Sequence, residues 1–168
     1  MKLAVIFDSK TGNTKQAGVW IVEGMNQVDG VEARAFLIGE EDRAFVKEAN
    51  GIVIGSPSYS TLMSPNLRTW LLESGSELGM AGKLGGAFAT VQYTHGGGDL
   101  VIQSIIMIEM SFGMLCYSSG VEFGKPYIHL GPVAVNHNEE AHNRLENYKE
   151  NFIVYGNRFA LKAMEIFG

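Results

Sequence analysis

Short apolar runs alternate with helix-spaced segments along the whole chain, and few architectures accommodate that pattern. Leu3-Ala4-Val5-Ile6-Phe7 is uninterrupted apolar sequence, as expected for a strand buried on both faces. From Asn13 to Val28 the apolar positions Ala17, Trp20, Ile21, Gly24, Met25 and Val28 recur at helical spacing. Val31 to Ile38 reads as a second strand, Glu40 to Ala49 as a short polar helix, and Gly51 to Gly55 as a third buried strand. Ser64-Pro65 suits a helix start, because Ser caps and Pro fits the first turn. Leu67, Trp70, Leu71 and Leu78 form the inner face of that helix. Leu84 to Val91 is a fourth strand, Leu100 to Phe112 a helix, and Met114 to Ser118 a fifth strand. Asn138 to Phe167 then reads as one long closing helix, with Leu145, Tyr148, Phe152, Tyr155 and Phe159 in a single stripe. A strand–helix unit repeated in this way predicts an α/β fold, a doubly wound five-stranded parallel sheet with helices on both faces and right-handed crossovers. At 168 residues the chain is expected to form a single domain, 1–168.

Composition removes several classes of function. A net charge of −5 without a basic run does not suit a grip on nucleic-acid phosphates. Hydrophobic content of 46% against 18% charged residues excludes a disordered chain. The apolar runs fall far short of the ~20 residues that span a bilayer. No small-residue cleavage site follows the first run, so a cytoplasmic protein is expected. The single cysteine, Cys116, excludes an internal disulfide and reads as a buried strand residue. His129, His137 and His142 lack paired ligand spacing, and no metal site is expected. The fourth helix is unusual: Val101, Ile102, Ile105, Ile106, Met107, Ile108, Met110 and Phe112 surround most of it. A helix apolar on all sides must be covered on all sides, which points to a homodimer or larger assembly.

In open parallel sheets ligands bind beyond the carboxyl ends of the strands. The segments following strands one, three and four are all polar and rich in small or hydroxyl residues. They are Ser9-Lys10-Thr11-Gly12-Asn13-Thr14, then Pro57-Ser58-Tyr59-Ser60-Thr61, then Gln92-Tyr93-Thr94-His95-Gly96-Gly97. The first offers hydroxyls, an amide side chain and the free amides of a helix start, with Lys10 its one cation; this chemistry suits a phosphate. A dinucleotide fingerprint and a P-loop are both missing. The stretch from Ser118 to His137 holds Gly120, Gly124, Pro126, Gly131 and Pro132 and is too long for an ordinary connection, so a functional role is expected there.

Ser9-x-Thr11-Gly12-x-Thr14 resembles the FMN-phosphate loop of flavodoxins. Gly55-Ser56-Pro57-Ser58-Tyr59, Leu67-Arg68-Thr69-Trp70-Leu71, Gly82 to Phe88 with His95-Gly96-Gly97, and Tyr155-Gly156-x-Arg158-x-Ala160 resemble a narrower branch. That branch is the flavodoxin-like NAD(P)H:quinone oxidoreductases of the tryptophan-repressor-binding-protein type. The resemblance implies a flavodoxin-like sheet of strand order 2-1-3-4-5 and FMN as cofactor. It implies that Ser9, Thr11, Gly12, Asn13 and Thr14 hold the FMN phosphate, with Lys10 beside them. Pro57, Ser58, Tyr59, Ser60 and Thr61 would line one side of the flavin, and Thr90, Val91, Gln92, Tyr93, His95, Gly96 and Gly97 the other. It further implies NAD(P)H as electron donor and a quinone or similar small molecule as acceptor, by hydride transfer through FMN. No side chain is required as acid or base. The branch often carries a His before the glycine that follows helix four, where this chain has Phe112. A flavodoxin-type electron carrier serving a redox protein, and a flavin-free binding domain, are the competing classes. Modest charge speaks against the carrier and the three polar loops against the flavin-free domain.

Overall fold

The computed structural model describes residues 1–137 and 144–168. Chain order runs β1 (Lys2–Phe7), α1 (Asn13–Met25), β2 (Glu32–Leu37), α2 (Arg43–Glu48), β3 (Gly51–Pro57), α3 (Pro65–Ser74), β4 (Leu84–Val91), α4 (Gly98–Ser111), β5 (Leu115–Cys116), β6 (Val133–Val135) and α5 (Lys149–Phe167). The strands form one parallel sheet of order β2-β1-β3-β4-β5, the expected order, with β6 also paired to β4. Alternation along β1 divides the core in two. Leu3, Val5 and Phe7 pack with Trp20, Ile21, Phe152, Tyr155 and Phe159 from α1 and α5. Ala4 and Ile6 pack with Phe45, Leu67, Trp70, Leu71, Val101 and Ile105 from α2, α3 and α4. Leu78 is buried in the same core from a separate 3-10 turn, Ser76–Leu78, rather than from α3.

The fifth strand departs from expectation. Only Leu115 and Cys116 pair there, against Leu84 and Gly85. The chain then leaves the sheet, makes a 3-10 turn at Val121–Phe123, and returns as β6 against Ala89, Thr90 and Val91. Thus β5 and β6 are two halves of one strand position, split by residues 117–132. The re-entry is tight: a Cβ at Gly131 would lie 2.1 Å from the Ala87 carbonyl oxygen, so glycine is required beside β4. Arg158 of α5 pins the inserted segment, its guanidinium donating to the Ser119 hydroxyl and to the carbonyls of Phe123, Gly124, Lys125 and Pro126. The segment is therefore anchored to α5.

The closing helix is also shorter than expected. A 3-10 turn at Leu145–Tyr148 precedes α5, and the expected helix over 138–143, with His142, lies outside the described residues. Helices α1 and α5 approach backbone to backbone: a Cβ on Gly24 would lie 1.9 Å from the Ile153 carbonyl oxygen, and one on Gly156 2.1 Å from that of Ile21. In α4 the chain itself covers only part of the apolar girth. Val101, Ile102 and Ile105 are buried, whereas Met107 and Met110 are 65% and 62% exposed. No helix is long and apolar enough to cross a membrane.

Candidate functional site

The segment between β1 and α1 is built to leave donors open. Gly12 at the helix N-cap adopts φ 94°, a left-handed conformation that favours glycine, and provides no capping side chain. The Ser9 hydroxyl accepts from the Lys15 amide at 3.2 Å, and the Gln16 amide donates to the Gly12 carbonyl at 2.9 Å. The Asn13 and Thr14 amides at the first turn have no intrahelical acceptor and carry the positive end of the helix dipole. Thr14 is buried, and its hydroxyl lies 2.8 Å from that of Thr90.

The loops after β3 and β4 are stitched together. The Ser58 amide donates to the Thr90 carbonyl at 2.9 Å, and the Ser58 hydroxyl to the Gly96 carbonyl at 2.6 Å. Tyr59 and Leu62 bridge antiparallel across a turn in which Ser60 and Thr61 take φ of 50° and 71°. Positive φ at a β-branched residue is strained, of the order of 1–3 kcal/mol. The strained Thr61 lies against the other loop, since a Cβ on Gly97 would come within 2.7 Å of its side chain. The Ser56 hydroxyl receives the Ser64 amide at 2.8 Å and fixes the far end of the β3–α3 connection.

These segments enclose a cavity of about 520 Å³ lined by Lys10, Thr11, Asn13, Thr14, Pro57, Ser58, Tyr59, Thr90, Val91, Gln92 and Asn136. Ten of these residues were expected from the sequence. Ser9 and Gly12 shape the helix start and face a neighbouring groove. Ser60, Thr61, Gly96 and Gly97 fall outside the lining; Gly96 accepts from the Ser58 hydroxyl, and Gly97 lies against Thr61. Tyr93 is exposed, its ring 5.2 Å from that of His137, and His95 is exposed beside it in the same loop. Asn136 was missed, although it follows an apolar triplet and so obeys the rule that exposed the other three segments. It is the one described residue of the 118–137 stretch that lines the cavity. Its amide donates to Val91, and its side chain accepts from Leu145.

The lining is chemically uneven. Lys10 is its single charged residue, and the remaining donors are hydroxyls, side-chain amides and helix-start amides. Such a set suits a phosphate attached to a polar chain and a planar ring, and the volume falls within the ~300–1,000 Å³ of small-molecule sites. FMN therefore fits the residues present. No cluster of His, Cys, Asp or Glu suited to a metal occurs among the described residues.

One ionisable cluster lies at the opposite end of β4. Glu109 of α4 is fully buried, and its Oε1 has no hydrogen-bond partner. Burial pushes its carboxyl well above the usual range, against the Cys116 thiol and the Gly86 amide that donate to it. Cys116 is exposed rather than buried as expected, because β5 is the sheet edge; its thiol still turns inward to Glu109 Oε2 at 3.6 Å. Partial burial and the neighbouring carboxyl push that thiol up to about 12.

No family model matches the chain. The chain is 38% identical over 167 residues to a flavodoxin from Clostridium saccharobutylicum, covering 99% of this chain and 100% of the relative. It is 30% identical over 135 residues to a flavodoxin from Aquifex aeolicus, covering 79% and 73%. A weaker likeness, 23% over 137 residues and 67% and 68% of the two chains, is to an NAD(P)H dehydrogenase (quinone) from Chromohalobacter salexigens. Among solved structures, a WrbA-like flavodoxin from Agrobacterium tumefaciens superposes with a TM-score of 0.77 at 20% identity, covering 98% of each chain.

Proposed function

The chain belongs to the flavodoxin family, and from that premise we propose that it is an FMN electron-transfer protein whose cofactor sits in the cavity between the three loops. The observation that carries this reading is the open helix start at Gly12, with Lys10 as the one charge in an otherwise neutral donor set. Thr11, Asn13 and Thr14 hold the phosphate through amides and hydroxyls, and Lys10 offsets part of its charge. Pro57, Ser58 and Tyr59 form one wall for the flavin, and Thr90, Val91 and Gln92 the other. Ser58 and Thr61 keep the two walls at a fixed separation through Gly96 and Gly97. Bound FMN supplies reversible one- and two-electron chemistry that side chains lack.

Two readings of the electron path follow. The names of the more similar relatives favour a carrier that exchanges electrons with a redox protein. The motifs around Gly55–Tyr59 and Gly82–Gly97, with the quinone dehydrogenase likeness, favour direct reduction by NAD(P)H and discharge to a quinone. The deciding experiment is anaerobic stopped-flow absorbance of the FMN-loaded chain mixed with NADH or NADPH. Bleaching without an added reductase, followed by recolouring with benzoquinone over many turnovers, establishes the enzyme. Bleaching only when a separate reductase is present establishes the carrier. A chain that binds no FMN overturns both.

A further inference from the structure

The buried carboxyl of Glu109 lies at the weakest part of the sheet. β5 pairs through Leu115 and Cys116 alone, against Leu84 and Gly85, and forms the sheet edge. Glu109 reaches this ladder from α4. A Cβ at Gly85 would lie 2.9 Å from Glu109 Oε2 and 3.3 Å from Met114 Cε, so the missing side chain makes room for the carboxyl. From β5 the Cys116 thiol points inward and donates to Oε2 at 3.6 Å, while Oε1 is buried without a hydrogen-bond partner. One carboxyl thus touches α4, β4 and β5 together.

This setting accepts a neutral acid and opposes a carboxylate. The titratable groups facing Glu109 are Cys116 and Tyr155, whose hydroxyl stands against Gly86 on the other face of β4. Neither is a cation. Lys83, just before β4, is committed to the Lys47 and Ala49 carbonyls, and Arg158 and Lys162 act on Tyr117 instead. A buried carboxylate with an orphaned oxygen and no counter-charge is strongly disfavoured. Relief comes where the structure opens most easily. β4 is paired on both sides, and α4 is packed through Val101, Ile102 and Ile105. β5 has only its two-residue ladder, where the flanking Leu115 and Tyr117 amides donate to the Lys83 and Gly85 carbonyls.

We propose that Glu109 is a proton-operated latch on the sheet edge: the neutral acid keeps β5 closed, and loss of the proton releases residues 114–117 and turns the Cys116 thiol to solvent. The split of the fifth strand position confines the opening. β6 pairs separately with Ala89, Thr90 and Val91, so that wall of the cavity is held while β5 opens. Burial keeps the carboxyl well above the usual range in the closed chain, and in the open one it titrates near the ordinary value. Between these two values each pH unit favours opening about 10-fold, and above the closed-state value the dependence levels off.

The test is amide hydrogen exchange of the FMN-loaded chain, read by NMR from pH 6 to pH 8 as protection factors, with and without low urea. Protection at Leu115 and Tyr117 should fall about 10-fold per pH unit and respond little to urea, as a local opening does. Val5 and Val53 of the central strands should be far better protected and urea-sensitive, because they exchange through global unfolding. Glu109→Gln, which is neutral at every pH, should abolish the pH dependence at Leu115 and Tyr117. Flavin absorbance should hold throughout. Protection at Leu115 and Tyr117 that is indifferent to pH, or that follows urea as Val5 does, overturns the latch, as does flavin released together with β5. The wild-type profile decides alone if the variant does not fold.

Discussion

The Thr14 and Thr90 hydroxyls lie 2.8 Å apart in a buried setting, so the first turn of α1 is tied directly to the end of β4. The sheet thereby sets the spacing between the phosphate-side donors and one wall of the cavity. With FMN held as proposed, loss of the Thr14 hydroxyl removes both this tie and a donor to a charged group, about 1.5–3 kcal/mol. Thr14→Ala is therefore expected to weaken FMN about 10- to 150-fold by fluorescence titration. Ser9→Ala should also weaken FMN, because the Ser9 hydroxyl accepts from the Lys15 amide and keeps its proton free to donate. Equal, unchanged affinity in both variants would place the phosphate elsewhere.

The hydroxyl loops were legible in the sequence because each follows an apolar run, and the ends of parallel strands are where such folds bind ligands. The split fifth strand was not. Val133-Ala134-Val135 is a triplet behind Gly131-Pro132, too short to show a period, and only its hydrogen bonds to β4 make it a strand. Asn136 was hidden with it. Glu109 left a fainter trace: it follows Ile102 and Ile105 at helical spacing and so falls on the buried stripe, where a carboxylate is not expected. Cys116 misled because an apolar flank suggests a central strand, whereas two paired residues at the edge leave it exposed.

Glu109 makes stability depend on pH in a defined direction. Its carboxyl titrates well above the usual range in the folded chain and near the ordinary value when unfolded. The folded state thus holds its proton over a window where the unfolded state has lost it. The stability this confers is full below the ordinary carboxylate pKa and falls as pH rises toward the raised folded value. Urea unfolding at pH 5 and pH 8 should show a steeper loss for the wild type than for Glu109→Gln. Parallel losses would mean that Glu109 is ionised when folded.

Cys116 should react slowly despite its exposure. A thiol pushed up to about 12 holds very little thiolate near neutrality, and thiolate is the nucleophile. Iodoacetamide alkylation at pH 8 is expected to be well below that of a free cysteine. Glu109→Ala should accelerate it by removing the acceptor that holds the thiol and by opening its buried side to water. A rate equal to free cysteine in the wild type contradicts the assignment.

The exposed side of α4 bears on assembly. Met107 and Met110 project from the core-facing residues Val101, Ile102 and Ile105, and exposed apolar clusters of this kind mark contact surfaces. We expect the wild type to sediment as a dimer or larger assembly at micromolar concentration and Met107→Asp as a monomer. Ile105→Asp cannot serve, because Ile105 is fully buried and its loss would damage the core. A monomeric wild type would refute the expectation.

Thr61 offers the sharpest separation of stability from binding. Its φ of 71° is one that a β-branched residue rarely adopts, and glycine adopts it freely. Thr61→Gly relieves that strain but also increases the freedom of the unfolded chain, so the net gain for the flavin-free protein is about 1 kcal/mol at most. The same change removes the side chain that meets Gly97 and holds the two cavity walls together. FMN affinity should therefore fall while the melting temperature of the flavin-free chain holds or rises. Both quantities come from one preparation, by thermal unfolding before reconstitution and fluorescence titration during it. If stability falls along with affinity, the Thr61 contact contributes more to the fold than its backbone strain costs. If affinity is unchanged, the spacing of the walls does not depend on Thr61.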